Sequence, residues 1–270
     1  MRTASVALLF LFVLTAGCLR KEIAPITQKN SAAVANSDAV PNVALVPLPG
    51  ITDDHPAADT TLGLDKAETA HADKPDDPKT NLDLAFSYYK AKAYVDAARC
   101  FDRAAQLLPE DPTPVLYLGY TQMAVGALDG ALKSFERVLH LNGVSHEVLS
   151  EAYYNIGVCD AALNQTDAAM TAYTNALGNN PRNGMASLAL GGRAAERGQF
   201  GQAKDFFTDA ANDLPMGRHK AQAYAALGKL AESHKDTKTA IAQYKKAISI
   251  DRDNDWADDG LRRLSPGKKG

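Results

Sequence analysis

Apolar and small residues recur at helical spacing through the carboxy-terminal two thirds of the chain, and one arrangement of them returns about every 34 residues. It runs small residue, Ala twelve positions on, aromatic four further, and a last small residue after three more. Ala85, Ala97, Phe101 and Ala104 form the first copy, and Gly119, Ala131, Phe135 and Val138 the second. Gly157, Ala169, Tyr173 and Ala176 follow, then Gly191, Ala203, Phe207 and Ala210. Gly228, Ala240, Tyr244 and Ala247 close the series. An apolar residue precedes each opening small one: Leu84, Leu118, Ile156, Leu190 and Leu227. Self-similarity at this period predicts stacked helical hairpins, each burying its apolar face on its neighbours. Such stacks usually bind other proteins, which points towards a scaffold and away from an enzyme.

The residues of the pattern resemble the tetratricopeptide repeat, over residues 78–252. That resemblance implies an all-α, right-handed solenoid of five hairpins. The pattern also has a physical reading. Two helices approach closely only where one side of the contact is small, which Gly or Ala in the first helix and Ala in the second allow. The aromatic one turn later fills the space between neighbouring hairpins, and the small residue after it admits the next repeat.

Punctuation agrees. Gly126, Asn164 and Gly198 lie five residues before the central Ala, where a hairpin turns, and both residue types tolerate the left-handed backbone that ends a helix. Lys92 and Lys235 hold this slot in the first and last copies, so those turns are less clearly marked. Pro109, Pro181 and Pro215 follow the second helix and prevent its extension. The central Ala recurs in steps of 34, 38, 34 and 37 residues. The longer steps contain Asn142–Ser145 and Met216–Arg218, insertions that lengthen a helix or loop without breaking a stack. Asp255–Leu264 reads as a terminal capping helix, Trp256 and Leu261 covering the last hairpin while its charges face water.

The amino terminus predicts a different fate. Met1-Arg2 and the apolar run Val6–Ala16 fit a secretory signal peptide, the run being far shorter than the ~20 residues of a bilayer-spanning helix. It ends in Leu14-Thr15-Ala16-Gly17-Cys18, which resembles the bacterial lipobox, with Thr15 in place of the commoner Leu. The resemblance implies cleavage after Gly17, lipidation of Cys18 and attachment to a membrane. Leu19, rather than Asp, after the Cys implies sorting to the outer membrane, facing the periplasm. Residues 19–75 hold no Phe, Tyr or Trp and are rich in Ala, Asp, Thr and Pro, so they read as a tether. A flexible coil of that length spans roughly 40 Å. Within it Val43–Ile51 is apolar enough to dock, with the concave groove of the chain's own repeats as a candidate, and Asp59–Ala72 is compatible with a short helix. The expected organisation is signal peptide 1–17, lipidated Cys and tether 18–75, five repeats 76–252, and capping helix with tail 253–270.

Charge narrows the partners. The formal net charge is −3, and residues 19–75 alone carry eight acidic side chains against five basic. The repeats are therefore near neutral, which argues against nucleic acid. Cys100 and Cys159 fall in the first and third hairpins, too far apart for a disulfide, and read as buried small apolar residues. The six His show no metal-ligand spacing, and no nucleophile–base constellation stands out. No catalytic residue, metal or cofactor is expected.

In tetratricopeptide stacks the first helices line a concave groove, so the resemblance places a partner-binding surface at Leu82, Phe86, Tyr89, Leu116, Tyr120, Met123, Tyr154, Val158, Met185 and Leu188. Ala225, Lys229 and Glu232 continue it with polar character. A carboxylate clamp of Lys, Asn and Arg would occupy Leu82, Phe86, Tyr120, Tyr154 and Val158, none of which is such a residue. An apolar surface with Tyr rims suits an amphipathic helix or apolar peptide instead. The alternative is that these side chains are shielded by the tether or by extra packing. Anchor, tether and groove together resemble pilot-type assembly lipoproteins of type IV and Tad/Flp pili and of secretion machines. The same features fit an envelope scaffold for cell-wall enzymes or outer-membrane protein assembly, and the Tyr residues leave a polysaccharide-export role open.

Overall fold

A computed structural model describes residues 63–264. The signal peptide, Cys18, Val43–Ile51 and the last six residues lie outside them. Twelve helices and no strand make up the described residues. After α1 (Leu64–Asp73) come five antiparallel pairs. They are α2 (Pro78–Lys90) with α3 (Tyr94–Leu107), α4 (Pro112–Ala124) with α5 (Leu128–Leu139), and α6 (His146–Ala162) with α7 (Thr166–Asn179). The last two are α8 (Gly184–Glu196) with α9 (Phe200–Asp213), and α10 (Arg218–Ser233) with α11 (Thr237–Ile250). Helix α12 (Asp255–Leu264) ends the stack.

Local chemistry sets the helix ends. Asp77 and Asp111 cap α2 and α4 through their side chains, each followed by a Pro whose missing N–H is one the first turn cannot use. Asn183 and Asp236 accept from the third backbone N–H of α8 and α11 at 3.0 Å. Every hairpin turn contains one residue in the left-handed region: Gly126 and Gly198 at φ 76° and 71°, Asn164 at 62°, and Lys92 and Lys235 at 59° and 61°. The two Lys thus adopt the same turn as Gly, although a Cβ makes that backbone region unfavourable by about 1 kcal/mol or more. The insertions enter the first helices: α6 has 17 residues and α10 has 16, against 13 in α2, α4 and α8.

The small residue and the aromatic of each copy meet within one hairpin. A methyl group built on Gly119 would lie 2.6 Å from the ring of Phe135, and one on Gly157 2.5 Å from Tyr173. Gly191 stands to Phe207, and Gly228 to Tyr244, at 2.6 Å in the same sense. Only a residue without a Cβ allows these rings their positions. All five rings are at most 2% exposed, as are the five central Ala. The ring therefore packs first on its own hairpin's opening helix, and the small residue after it, fully buried in every copy, receives the neighbour.

Both ends of the stack are covered. Helix α1 lies inside the stretch expected to be tether, and it packs on α2 by burying Ala67 and accepting a 2.8 Å hydrogen bond from the Tyr88 hydroxyl at Glu68. At the other end α12 repeats the ring contact: a methyl on Gly260 would lie 2.3 Å from Tyr244, whose ring is sandwiched between Gly228 and Gly260. Arg263 donates twice to Glu232, at 3.1 and 3.0 Å, and Tyr244 donates to the same carboxylate at 2.7 Å. Trp256 packs on the last hairpin beneath the Lys229 ammonium, 5.1 Å from its ring centroid. No helix of the described residues is long and apolar enough to cross a membrane.

Gly260→Val should expel α12 and leave the five hairpins folded. Trp256 is the sole Trp of the chain, so its emission reports this directly. The expected result is a red shift at low denaturant with loss of about one helix of circular dichroism; unchanged emission would refute the contact.

Candidate functional site

Spacing of four and three residues puts Leu82, Phe86 and Tyr89 on one stripe of α2, and Leu116, Tyr120 and Met123 on the equivalent stripe of α4. Tyr154 and Val158 continue it on α6, Met185 and Leu188 on α8. The structure joins most of these residues in one apolar cluster. It does not leave them as an open groove. Leu82, Phe86, Tyr89, Leu116, Tyr120, Met123, Tyr154 and Val158 are all buried, and only Met185 and Leu188 are half-buried. The expectation of exposed groove walls is corrected for these eight: the described residues form a closed seam that opens partly at α8.

Tyr117 makes the seam continuous. Its ring meets Phe86 edge-on at 4.8 Å, Tyr89 at 5.4 Å and Tyr120 at 5.5 Å, and stacks on Phe101 at 5.5 Å with 27° between planes. Phe86 also stands edge-on to Phe101 at 5.1 Å, and Tyr120 to Phe135 at 5.5 Å. Each such pair adds about 0.5–1.5 kcal/mol to the apolar burial. The repeat pattern gave no sign of Tyr117, because its slot holds Asp83, Asn155, Ala189 and Ala226 in the other copies.

A polar spot interrupts the seam between α4 and α6. Tyr120 donates to Glu151, and Asn155 donates to the Glu151 carbonyl at 2.7 Å and to the Tyr120 hydroxyl at 3.4 Å. Burial raises the Tyr120 hydroxyl well above the usual phenol range, and the Glu151 charge adds to this. Burial and Glu151 together push Tyr117 up to about 12. Tyr154 is raised by burial first and then by Tyr173, whose ring lies 5.8 Å away. Its hydroxyl has no hydrogen-bond partner. These Tyr therefore stay protonated at neutral pH, and Tyr120 acts as a donor. Sequence reasoning missed Glu151 and Asn155, because neither belongs to the recurring small, Ala, aromatic and small pattern.

Nothing here resembles a reaction centre. Cys100 and Cys159 are buried and form no disulfide, and burial pushes the Cys159 thiol up to about 12, so it is not a nucleophile at neutral pH. No group of His, Cys, Asp and Glu among the described residues is arranged to hold a metal.

A tetratricopeptide-repeat family model matches residues 150–183 and 221–254, which are the α6–α7 and α10–α11 hairpins. The fold is a tetratricopeptide-repeat solenoid. Solved tetratricopeptide structures agree with it over most of the chain. One is YrrB, described as a protein with an unusual peptide-binding site; it is 18% identical, with 74% of this chain and all of YrrB covered, at a TM-score of 0.53. PilF of Pseudomonas aeruginosa is 12% identical, with 73% of this chain and 87% of PilF covered and a TM-score of 0.62. PilW, described as a widely conserved type IV pilus biogenesis factor, is 18% identical, with 73% and 88% covered and a TM-score of 0.58. At such identities the likeness shows the fold alone. No curated protein sequence matches this chain. Tetratricopeptide stacks typically serve as protein-interaction scaffolds rather than catalysts.

A buried hydroxyl without a partner is unfavourable, so Tyr154→Phe should raise the stability of the isolated protein by about 1 kcal/mol. Urea denaturation of the two proteins checks this; a loss of 1 kcal/mol or so would mean that the hydroxyl is engaged.

Proposed function

We propose that the protein is a membrane-anchored adaptor that binds a protein partner along the first-helix face of its repeats and assists assembly of a pilus or secretion complex in the bacterial envelope. The carrying observation is the continuous apolar and aromatic stripe on α2, α4, α6 and α8, set in a solenoid whose type exists to present such faces. The partner is an amphipathic helix or apolar peptide. It enters where Met185 and Leu188 are half-buried, and side-chain rearrangement extends the contact towards Tyr154 and Tyr120. The Tyr154 hydroxyl then finds the acceptor it lacks. Membrane attachment is through Cys18, with residues 19 to about 62 as the tether, and the outer membrane facing the periplasm is the assigned location. Several acyl chains on one Cys hold firmly, since each buried methylene contributes about 0.8 kcal/mol and a single chain is marginal. Likeness in fold to PilF and PilW supports the assembly role, and likeness to YrrB supports peptide binding.

Site-specific photocrosslinking in cells tests the face. A photoreactive residue at Met185 should capture a pilus or secretion component, and one at the exposed Val95 of α3 should not. Equal capture at both positions would refute the assignment, and capture of cell-wall enzymes from Met185 would move the protein to a general envelope scaffold. Cys18→Ser should release the protein from membranes on fractionation; continued membrane association would refute the lipid anchor.

A further inference from the structure

A cleft of about 460 Å³ opens between α9, α10 and α11; none of its lining residues belongs to the first-helix stripe, although its floor packs against Leu188. Its size lies in the range of ligand pockets. The second helices of two consecutive hairpins form its walls, and the half-buried Tyr224, Leu227 and Leu230 of α10 form an apolar floor. Phe200 stands at the mouth, 43% exposed, its ring edge-on to His234 at 4.8 Å. Few large apolar side chains of the described residues are so exposed, and this one borders a cavity.

The charge of the cleft is positive on balance. Lys204 enters from α9 and Lys246 from α11, the latter 5.2 Å from the centroid of the Tyr224 ring. Against them the lining holds one carboxylate, Asp236, which caps α11 by accepting from the Thr239 N–H at 3.0 Å. Hydrogen bonds to Thr239 hold its carboxyl below the usual range, and Lys238 and Lys204 add to this. The Gln243 side-chain oxygen is buried at the cleft without a hydrogen-bond donor.

We infer that this cleft is a second docking site, for a peptide segment in which an aliphatic or aromatic side chain sits beside a carboxylate. The apolar side chain covers the α10 floor under Phe200. The carboxylate lies between the Lys204 and Lys246 ammonium groups, and a backbone N–H of the segment donates to Gln243. Charge complementarity selects an acidic segment over a neutral one. The site does not depend on the reading of the first-helix face, since it shares no residue with it.

The probe is a pool of fluorescein-labelled octapeptides of Leu, Phe, Asp, Glu and Ser, titrated against the full-length protein by anisotropy. A matched pool with Asn and Gln in place of Asp and Glu is the control. The acidic pool should bind saturably and at least about fivefold tighter than the amide pool. Lys204→Ala with Lys246→Ala should abolish that preference, and Phe200→Ala should weaken both pools, each with unchanged circular dichroism. Equal binding of the two pools, no saturable binding, or indifference to the double Lys variant would overturn the site.

Discussion

The contact on which this solenoid depends is an aromatic ring lying against a residue with little or no side chain. In four hairpins the ring approaches a Gly so closely that a methyl group would stand about 2.5–2.6 Å from it. In the first hairpin Ala85 and Phe101 hold the same two slots, and both are fully buried. Close approach brings the two helices of a hairpin together, and the buried small residue one turn on then admits the next hairpin. The capping helix obeys the same rule, with Gly260 on the far side of Tyr244. Repetition of one local contact is what lets a chain with a near-neutral repeat region build an extended core.

Much of this fold was legible because the contact is written as fixed spacings. Small, Ala, aromatic and small residues at repeated offsets identify the hairpins, the turns and the cap at Trp256 and Leu261. Three features were less visible. Lys92 and Lys235 carry a backbone conformation that Gly would signal, since the surrounding hairpin determines the turn whatever residue occupies it. Helix α1 has the composition of a tether, and its order comes from docking Ala67 and Glu68 on α2, a tertiary contact. The ring's contact with its own first helix was the third, since only its place between hairpins, as in Phe101 on Tyr117, was expected.

The stripe was legible in the sequence, but the state of its side chains was not. Helical spacing sets these residues on one face of the first helices, and the structure gathers most of them in one apolar cluster. Their burial was not readable, because it comes from rings that interlock across helices through Tyr117, a residue peculiar to one repeat. The outer cleft was invisible for a related reason. Phe200 and Lys204 are far in sequence from Tyr224 and Lys246 and the four share no repeated slot, and only the spacing of α9 and α11 over α10 brings them together. The consequence for function is a division of labour. Repeated positions build the stack, and the residues that differ between copies give each face its own chemistry.

A double-mutant cycle on one hairpin tests the central contact most directly. The pair is Gly191→Val and Phe207→Leu, compared singly and together by urea denaturation. The account predicts that the smaller side chain at 207 relieves the clash at 191, so that the double variant is more stable than the sum of the single losses by at least about 1 kcal/mol. Additivity within about 0.5 kcal/mol would mean that the two side chains do not meet, and would contradict the account of how the solenoid is held.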